Sequence, residues 1–342
     1  MSKNSFGNIL GQSAAIGDLR RAYLADRLPH GMVFAGASGV GKGTTAAALG
    51  KLFLCEKPRG DAPCDRCDSC RVFDAGNHPD FHIVYRQLAR IEKEKIKAME
   101  LTIDVVRRYL VGPANLKSSM GRGKFFVVEE AELMNVAAQN SMLKTLEEPS
   151  ERTVIVLLTD QPAALLATIR SRCQIIRFAP LERSMVVREL ESRGIESAAA
   201  GTAADLAEGS LGIALKWIED GVIEPARDLR RQLDALSVGG GAANLPGWFK
   251  SAAEAYAEKQ LERDELASKD QATREGLALY LRVAANHFRR KLTQTDDPSA
   301  LDHACAAIDA IARAEAYLDA NVNVSVLFQQ LAAELTRQHA GV

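Results

Sequence analysis

Four cysteine residues lie within sixteen positions of the chain, separated by eight, two and two residues. They are Cys55, Cys64, Cys67 and Cys70. Prolines and a glycine between them favour a tight loop, and thiolate ligands at such spacing are typical of tetrahedral zinc sites. The segment therefore predicts a closed structural zinc site. Four cysteines buried without a metal are the alternative. Cys173 and Cys305 stand alone, and we expect both to lie in the core.

A glycine-rich segment follows the predicted strand at 31–35 and reads Gly36-Ala37-Ser38-Gly39-Val40-Gly41-Lys42-Gly43-Thr44. It fits the pattern G-x-x-x-x-G-K, in which backbone N–H groups surround phosphate oxygens and the lysine approaches the β and γ phosphates. The candidate nucleotide-binding residues here are Gly36, Gly39, Gly41, Lys42 and Thr44. Gly43 replaces the usual hydroxyl ligand of magnesium, and Thr44 faces another direction on the helix. Phosphate binding, hydrolysis and a purely structural turn are all open interpretations.

Polar residues end two further apolar runs. Glu129 and Glu130 follow the run 124–128, where P-loop ATPases hold hydrated magnesium and orient the attacking water. Glu129 is a candidate nucleotide-site residue, one methylene longer than the usual aspartate, and Glu130 is the candidate base. Thr159 ends the run 153–158 and is placed to contact a γ phosphate or a water. A solvated acidic cluster and an ordinary turn residue are the alternatives.

Ser171-Arg172-Cys173 stands between a predicted helix at 164–170 and a fifth apolar run, which places Arg172 at the edge of its domain. A planar guanidinium can neutralise charge on a transferring phosphoryl group, and an edge arginine can do so for a neighbouring subunit. Arg172 is therefore the candidate arginine finger. A surface salt bridge is the alternative.

The elements that position these residues follow from five short apolar runs, which alternate with helical stretches. The runs are 31–35, 81–85, 124–128, 153–158 and 174–178. Unbroken apolar runs in this alternation predict an α/β fold with a parallel five-stranded sheet covered on both faces. Ligands of such sheets bind at the carboxyl ends of the strands. After Pro180 the pattern becomes helical, with a loop predicted at 238–246, and we expect three domains: 1–180, 181–221 and 222–342.

The bulk composition limits the partners that the chain can have. Its 342 residues include 43 Lys and Arg against 44 Asp and Glu, so no global positive field attracts polyphosphate. The first residues lack the apolar run of a signal peptide, and no long uncharged apolar stretch occurs. We therefore expect a cytoplasmic protein whose contacts with nucleic acid are local or shared with partners.

Seven motifs, in this order and spacing, resemble the bacterial DNA polymerase III clamp-loader AAA+ family over residues 6–180. They are Gly11-Gln12, Arg27-Leu28-Pro29-His30, the phosphate loop, the cysteine insertion, His78-Pro79-Asp80, the run Leu143-Lys144-Thr145-Leu146-Glu147-Glu148-Pro149, and Ser171-Arg172-Cys173. The resemblance implies an AAA+ P-loop module at 1–180 with the zinc insertion at 55–70, a helical lid at 181–221 and an all-α collar at 222–342. The segment 314–323 is similar to the collar, more weakly.

Three departures from the ATP-hydrolysing gamma and tau subunits resemble the delta-prime type: Gly43, Glu129, and Gly212 in place of a sensor arginine. The resemblance implies a subunit that supplies Arg172 in trans to a neighbouring ATPase and has weak or absent ATPase activity of its own. It implies structural zinc and weighs against ATP with Mg²⁺ as the chain's own cofactor. The implied partners are gamma/tau and delta subunits in a hetero-pentamer, and through it the sliding clamp and primer-template DNA. A gamma/tau-type motor is the alternative, and a small nucleotide kinase is a third hypothesis.

Overall fold

The computed structural model describes residues 5–92, 98–150, 152–236, 244–263, 268–319 and 324–337. Contacts between residues divide the chain into two compact units. Unit 1 comprises residues 1–195 and 207–213, and unit 2 comprises residues 196–206 and 214–342. The expected division into three domains at 180 and 221 stays a prediction.

Unit 1 is built on a sheet of five strands. They are β1 (Gly31–Ala35), β2 (Phe81–Val84), β3 (Lys124–Val128), β4 (Thr153–Thr159) and β5 (Gln174–Arg177). Their order across the sheet is β2-β3-β4-β1-β5, and every neighbouring pair is parallel. The three inner strands are buried along their whole length. The predicted α/β fold with five parallel strands is therefore confirmed, to within a residue at the strand ends.

Alternate residues of the inner strands enter different cores on the two faces of the sheet. Val33, Ala35 and Phe126 face one core, whereas Met32 and Phe34 face the other. This is the period of two that an extended chain imposes. Both sets are apolar because helices cover both faces, which explains why the runs show no polar alternation.

The helices of unit 1 connect these strands. They are α1 (Ser13–Leu24), α2 (Lys42–Leu54), α3 (Asp68–Asp74), α4 (Ala89–Glu92), α5 (Ile103–Val106), α6 (Gly112–Ala114), α7 (Val136–Ser141), α8 (Leu143–Glu147), α9 (Ala167–Arg170) and α10 (Arg183–Ser192). A π-helical turn, Arg107–Val111, joins α5 to α6. Pro113 lacks the N–H that the carbonyl of Tyr109 would need, which favours the wider turn. The buried Lys124 Nζ then donates to carbonyl oxygens at the end of α6, including that of Ala114 at 2.5 Å.

Helices make up the described part of unit 2. They are α11 (Ser197–Leu206), the greater part of α12 (Leu211–Glu219), α13 (Ile223–Leu236), α14 (Leu245–Arg263), α15 (Lys269–Leu292), α16 (Pro298–Asp319) and α17 (Val324–Arg337). Helix α15 packs against α13, α14 and α16. The ring of Phe249 lies 4.5 Å from that of Phe328 between centroids, and together they fill the core between α14 and α17.

The helical pattern predicted after Pro180 is confirmed, and residues 207–210 separate α11 from α12 within it. Most of the predicted loop 238–246 and the end of the collar-like segment 314–323 lie outside the described residues, but Leu245 and Pro246 begin α14. Proline fits there because the first helical turn needs no N–H donor. Within the described part of the chain, no helix is both long and apolar enough to span a membrane.

Candidate functional site

The four clustered cysteines converge at the end of α2. Cys55 directly follows α2, and Cys67 caps the start of α3. Their four sulfur atoms all lie within 4.8 Å of one another, and the Sγ atoms of Cys55 and Cys67 are 4.0 Å apart. A zinc ion with Zn–S bonds of about 2.3 Å places tetrahedral sulfurs about 3.8 Å apart. The donor set and its geometry fit a closed four-thiolate site.

Backbone N–H groups point at three of these sulfur atoms. Cys64 N donates to Cys55 Sγ at 3.3 Å, and Cys67 N and Cys70 N donate to the sulfurs of Cys64 and Cys67, each at 3.4 Å. The N–H of Arg66, together with that of Cys67, lowers the pKa of Cys64 to about 6. Burial instead raises the pKa values of Cys55 and Cys70. A soft dication is the group that would stabilise all four as thiolates.

The His78-Pro79-Asp80 motif attaches this cluster to the sheet. His78 Nε2 lies 3.0 Å from the hydroxyl of Ser69, which itself donates to Leu54 O at the end of α2. The buried carboxylate of Asp80 accepts from the backbone N–H groups of Ser119 and Met120 at 2.7 and 2.8 Å. The motif therefore fixes the cysteine loop and orders the turn before β3. Its role here is architectural.

A buried lysine makes a second attachment of the cysteine loop. Lys51, on α2, is 1% exposed and forms ion pairs with Asp65 at 2.6 Å and Asp74 at 2.8 Å. Burial disfavours the charge on Lys51, but the two carboxylates outweigh it and raise the pKa of Lys51. The ion pairs join the phosphate-loop helix α2 to Asp65 of the cysteine loop and to Asp74 at the end of α3.

The phosphate loop runs from β1 into α2 with the backbone that its glycines allow. Gly39 and Gly41 have φ values of 74° and 106°, and Gly41 caps α2. The buried Lys42 Nζ donates to the carbonyl oxygens of Gly36 and Ala37, the latter at 2.8 Å. Burial lowers the pKa of Lys42, and the carboxylates of Asp160 and Glu132 oppose this. The five loop residues predicted from the sequence thus lie together between the end of β1 and the first turn of α2. The side chain of Lys42 folds back onto the start of the loop.

The magnesium position of the loop lacks a hydroxyl. A Cβ on the exposed Gly43 would lie 3.7 Å from Leu158 Cδ1. Thr44 is exposed, whereas the buried Thr45 donates its hydroxyl hydrogen to Gly41 O at 2.8 Å. The Thr45 hydroxyl is therefore engaged by the backbone, and Gly43 itself provides none.

Residues 210–212 lie directly on the phosphate loop. The Ser210 hydroxyl donates to Ser38 O at 2.7 Å, and Gly212 N donates to Gly39 O at 2.9 Å. A Cβ on Gly212 would lie only 2.8 Å from Gly39 Cα. The absence of a side chain at position 212 therefore permits this close approach.

The carboxylates after β3 separate in space. Glu130 has a left-handed backbone with φ of 48°, and its carboxylate pairs with Arg86 at 3.0 Å. Glu129 is exposed at the strand end. Glu132 is the acidic residue on the phosphate-loop side, because its carboxylate lies beside the hydroxyl of the buried Thr159 and its charge acts on Lys42. Burial, and then the charges of Asp160 and Glu130, raise the pKa of Glu132. The sequence pattern missed Glu132, although it is the third acid of the same cluster.

Arg172 lies at the surface of unit 1, with 36% of its side chain exposed. Its Nε donates to Glu147 Oε1 at 2.6 Å, and its Nη1 donates to Thr168 O at 3.1 Å. The arginine follows α9 and precedes the edge strand β5, as the sequence predicts. Arg172 thus lies at the surface, as expected, and it also forms the surface salt bridge that was the alternative, with Glu147 as its partner.

The side chain of Cys173 is buried in the core and so anchors the backbone of the adjacent Arg172. Its thiol is 8% exposed, and burial raises its pKa to about 11, so it stays protonated. A Cβ on Gly31 would lie 2.9 Å from Cys173 Sγ and 3.2 Å from Arg172 O. Gly31 therefore permits the start of β1 to approach the arginine backbone closely. Cys305, by contrast, is exposed, so the expectation of a core position is wrong for it: its place on α16 faces solvent.

Comparison with known proteins identifies the family. The family model described as "DNA polymerase III, delta subunit" matches residues 11–182, half of the chain. The chain belongs to this family, which confirms the resemblance to DNA polymerase III subunits. The matched region holds the cysteine cluster, the phosphate loop and Arg172.

Individual relatives agree with this assignment. DNA polymerase III subunit delta' of Bacillus subtilis is 38% identical over 171 residues, 50% of this chain and 47% of that protein. The Escherichia coli subunit delta' is 35% identical over 221 residues, 64% of this chain and 63% of that protein. Subunit tau of Bacillus subtilis is 26% identical over 246 residues, 70% of this chain and 41% of that protein. The matches therefore span about half the length of the Bacillus subtilis subunit delta' and less than two thirds of the Escherichia coli one.

Solved structures resemble the chain more distantly. A gamma subunit-related protein of Thermotoga maritima has 18% identity and a TM-score of 0.43, covering 95% of this chain and 99% of that one. RuvB of the same organism has 16% identity and a TM-score of 0.42, covering 67% and 65%.

Proposed function

We propose that the chain is a clamp-loader subunit of the DNA polymerase III holoenzyme, of the delta-prime type. Its role is to assemble with tau/gamma and delta subunits in a hetero-pentamer and to help load the sliding clamp on primer-template DNA. Family membership and the delta' relatives support this role. Such a subunit works in the cytoplasm.

The observation that carries the proposal is the exposed guanidinium of Arg172 on a rigid support. An arginine that completes another subunit's site must be accessible, and its backbone must be fixed to within a fraction of an ångström. Exposure of the side chain and burial of the adjacent Cys173 meet both requirements. Arg172 would then neutralise charge on the phosphoryl group transferred at the neighbouring subunit.

The chain's own phosphate loop supports a structural role better than catalysis. Gly43 provides no magnesium ligand, Gly212 provides no positive charge, and Glu130 pairs with Arg86 away from the loop. The alternative is a gamma/tau-type motor, which the complete backbone of the loop and the pair Glu132–Thr159 favour. Titration of the isolated chain with ATP, with and without Mg²⁺, followed by a turnover assay, separates the two.

We also propose that Cys55, Cys64, Cys67 and Cys70 hold a structural zinc ion. When bound, zinc would join the end of α2 to α3 as a closed, non-catalytic centre. The convergence of the four sulfurs and their N–H···S contacts support this assignment. Metal analysis after gentle purification should return about one equivalent of zinc, and less than about half an equivalent would contradict it.

Reconstitution tests the proposed role. The chain is mixed with tau/gamma-type and delta subunits of its own organism, and loading of a labelled sliding clamp onto primed DNA is measured. We expect loading to require the chain, and the variant Arg172→Ala to assemble normally but to load poorly. Failure to assemble with these subunits, or full loading when the chain is omitted, would refute the proposal.

A further inference from the structure

Arg172 is held by a specific set of contacts rather than free in solvent. Glu147 Oε1 accepts from Arg172 Nε at 2.6 Å and also from Nη2. Thr168 O accepts from Nη1 at 3.1 Å, and the Ser171 hydroxyl lies 3.4 Å from the same nitrogen. Glu147 Oε1 thus binds the Nε and Nη2 atoms of the guanidinium, and the carbonyl oxygen of Thr168 binds Nη1.

These contacts leave the guanidinium able to bind another group. A guanidinium has five N–H donors, of which Glu147 uses two, Thr168 uses one and the Ser171 hydroxyl uses one. Nη2 retains one N–H that the side-on contact with Glu147 does not use. A phosphoryl oxygen can therefore bind Arg172 without displacing Glu147.

The pair contributes little to the stability of the fold. Its side chains are 36% and 46% exposed, and ion pairs of this kind are weak in water because solvent and salt screen them. What the pair does restrict is orientation, since a long side chain held at two branches has few accessible rotamers. Its effect should therefore be seen in the placement of Arg172.

Glu147 and Arg172 each stand next to a buried residue in the same part of the core. Leu146, the residue before Glu147, is 3% exposed, and Cys173, the residue after Arg172, is 8% exposed. A Cβ on Gly31 would contact both, at 3.1 Å from Leu146 Cδ2 and 2.9 Å from Cys173 Sγ. Leu146, on α8, and Cys173, just before β5, therefore both pack at the start of β1 in one core cluster, which holds the backbones of Glu147 and Arg172 in fixed positions.

We propose that Glu147 is a positioning residue for Arg172, which holds the guanidinium in the orientation that a neighbouring subunit's phosphoryl group meets. This inference rests on the proposed function of Arg172. It gives one acid of the Leu143–Pro149 run a physical role. Glu148, the next residue and also exposed, makes none of the contacts to Arg172 described above and provides a matched control.

The test is ATP turnover of the reconstituted complex, with kcat and KM measured separately. We expect Glu147→Gln to lower kcat about two- to fivefold, the range that an exposed ion pair can supply, with KM unchanged. Glu148→Gln should match the wild type. In an Arg172→Ala background, Glu147→Gln should have no further effect. The melting temperature of Glu147→Gln should stay within about 2 °C of the wild type.

The outcomes separate this inference from the proposed function. If Arg172→Ala abolishes turnover but Glu147→Gln keeps the wild-type kcat, the positioning role is refuted and the finger stands. An increased kcat for Glu147→Gln would also refute it, because the pair would then restrain Arg172 rather than orient it. If Arg172→Ala itself leaves turnover unchanged, both proposals fail.

Discussion

Substitution of Gly31 by alanine tests how tightly the backbone of Arg172 is supported. The new Cβ would lie 2.9 Å from Cys173 Sγ, 3.1 Å from Leu146 Cδ2 and 3.2 Å from Arg172 O. Overpacking of this kind costs about 1–3 kcal/mol, whereas the lower entropy of the unfolded chain returns about 0.4–1 kcal/mol. We therefore expect Gly31→Ala to reduce the free energy of unfolding by roughly 1–2 kcal/mol.

A second substitution makes this prediction specific. Cys173→Ala removes the sulfur that the new methyl group would meet, and by itself should cost about 1 kcal/mol for the lost burial. In the double variant, the methyl group of Ala at position 31 occupies the space that the sulfur leaves. We expect the double variant to be within about 1 kcal/mol of the wild type, so that the two effects are not additive.

Urea unfolding followed by two probes is the assay. Both tryptophans of the chain, Trp217 and Trp248, belong to unit 2, so tryptophan fluorescence reports on that unit, whereas far-UV circular dichroism also includes unit 1. The Gly31→Ala variant should shift the dichroism transition and leave the fluorescence transition in place. Additive costs in the double variant, or a shift in fluorescence alone, would refute the packing argument.

Three further predictions concern other parts of the structure. Cys70→Ser should reduce zinc content, measured by atomic absorption, below about half an equivalent, whereas Cys305→Ser should leave it unchanged. Asp80→Ala removes the acceptor for two backbone N–H groups and should lower the urea-unfolding free energy by about 2–4 kcal/mol. Burial, and then the charge of Lys291, lower the pKa of His287 to about 4. As the pH falls, protonation of this histidine therefore stabilises the unfolded state relative to the native state. Stability of unit 2, followed by tryptophan fluorescence, should therefore be lost between about pH 6.5 and 4, and less steeply in His287→Gln. Full zinc in Cys70→Ser, an Asp80→Ala variant as stable as the wild type, or identical pH profiles with and without His287 would contradict the respective arguments.

The sheet could be predicted from sequence because its three inner strands are buried along their whole length, which makes their apolar runs unbroken. Four of the five runs are followed directly by glycine or a polar residue, and the ends of all five strands lie within a residue of the run ends. The surface position of Arg172 could be predicted for a similar reason, since it stands between a helix and the last strand. Its partner Glu147 lies 25 residues away in sequence, and no local pattern connects them.

The site at the phosphate loop was less predictable because it depends on backbone turns. The left-handed conformation of Glu130 reverses the chain after β3, which directs this side chain to Arg86 and brings Glu132 to Thr159. A non-glycine residue with positive φ gives no reliable signal in sequence. The contact of Gly212 with Gly39 joins residues far apart in the chain and equally requires the structure.

The claim that Arg172 completes a phosphoryl-transfer site on another subunit is tested most directly by single-turnover hydrolysis. A complex assembled with Arg172→Ala is compared with the wild type and with Arg170→Ala, a nearby exposed arginine, and ATP binding is measured in parallel. We predict that hydrolysis at the adjoining site slows about a thousandfold or more in Arg172→Ala, with assembly and ATP affinity retained and with Arg170→Ala unaffected. Wild-type hydrolysis in a fully assembled Arg172→Ala complex would contradict the account.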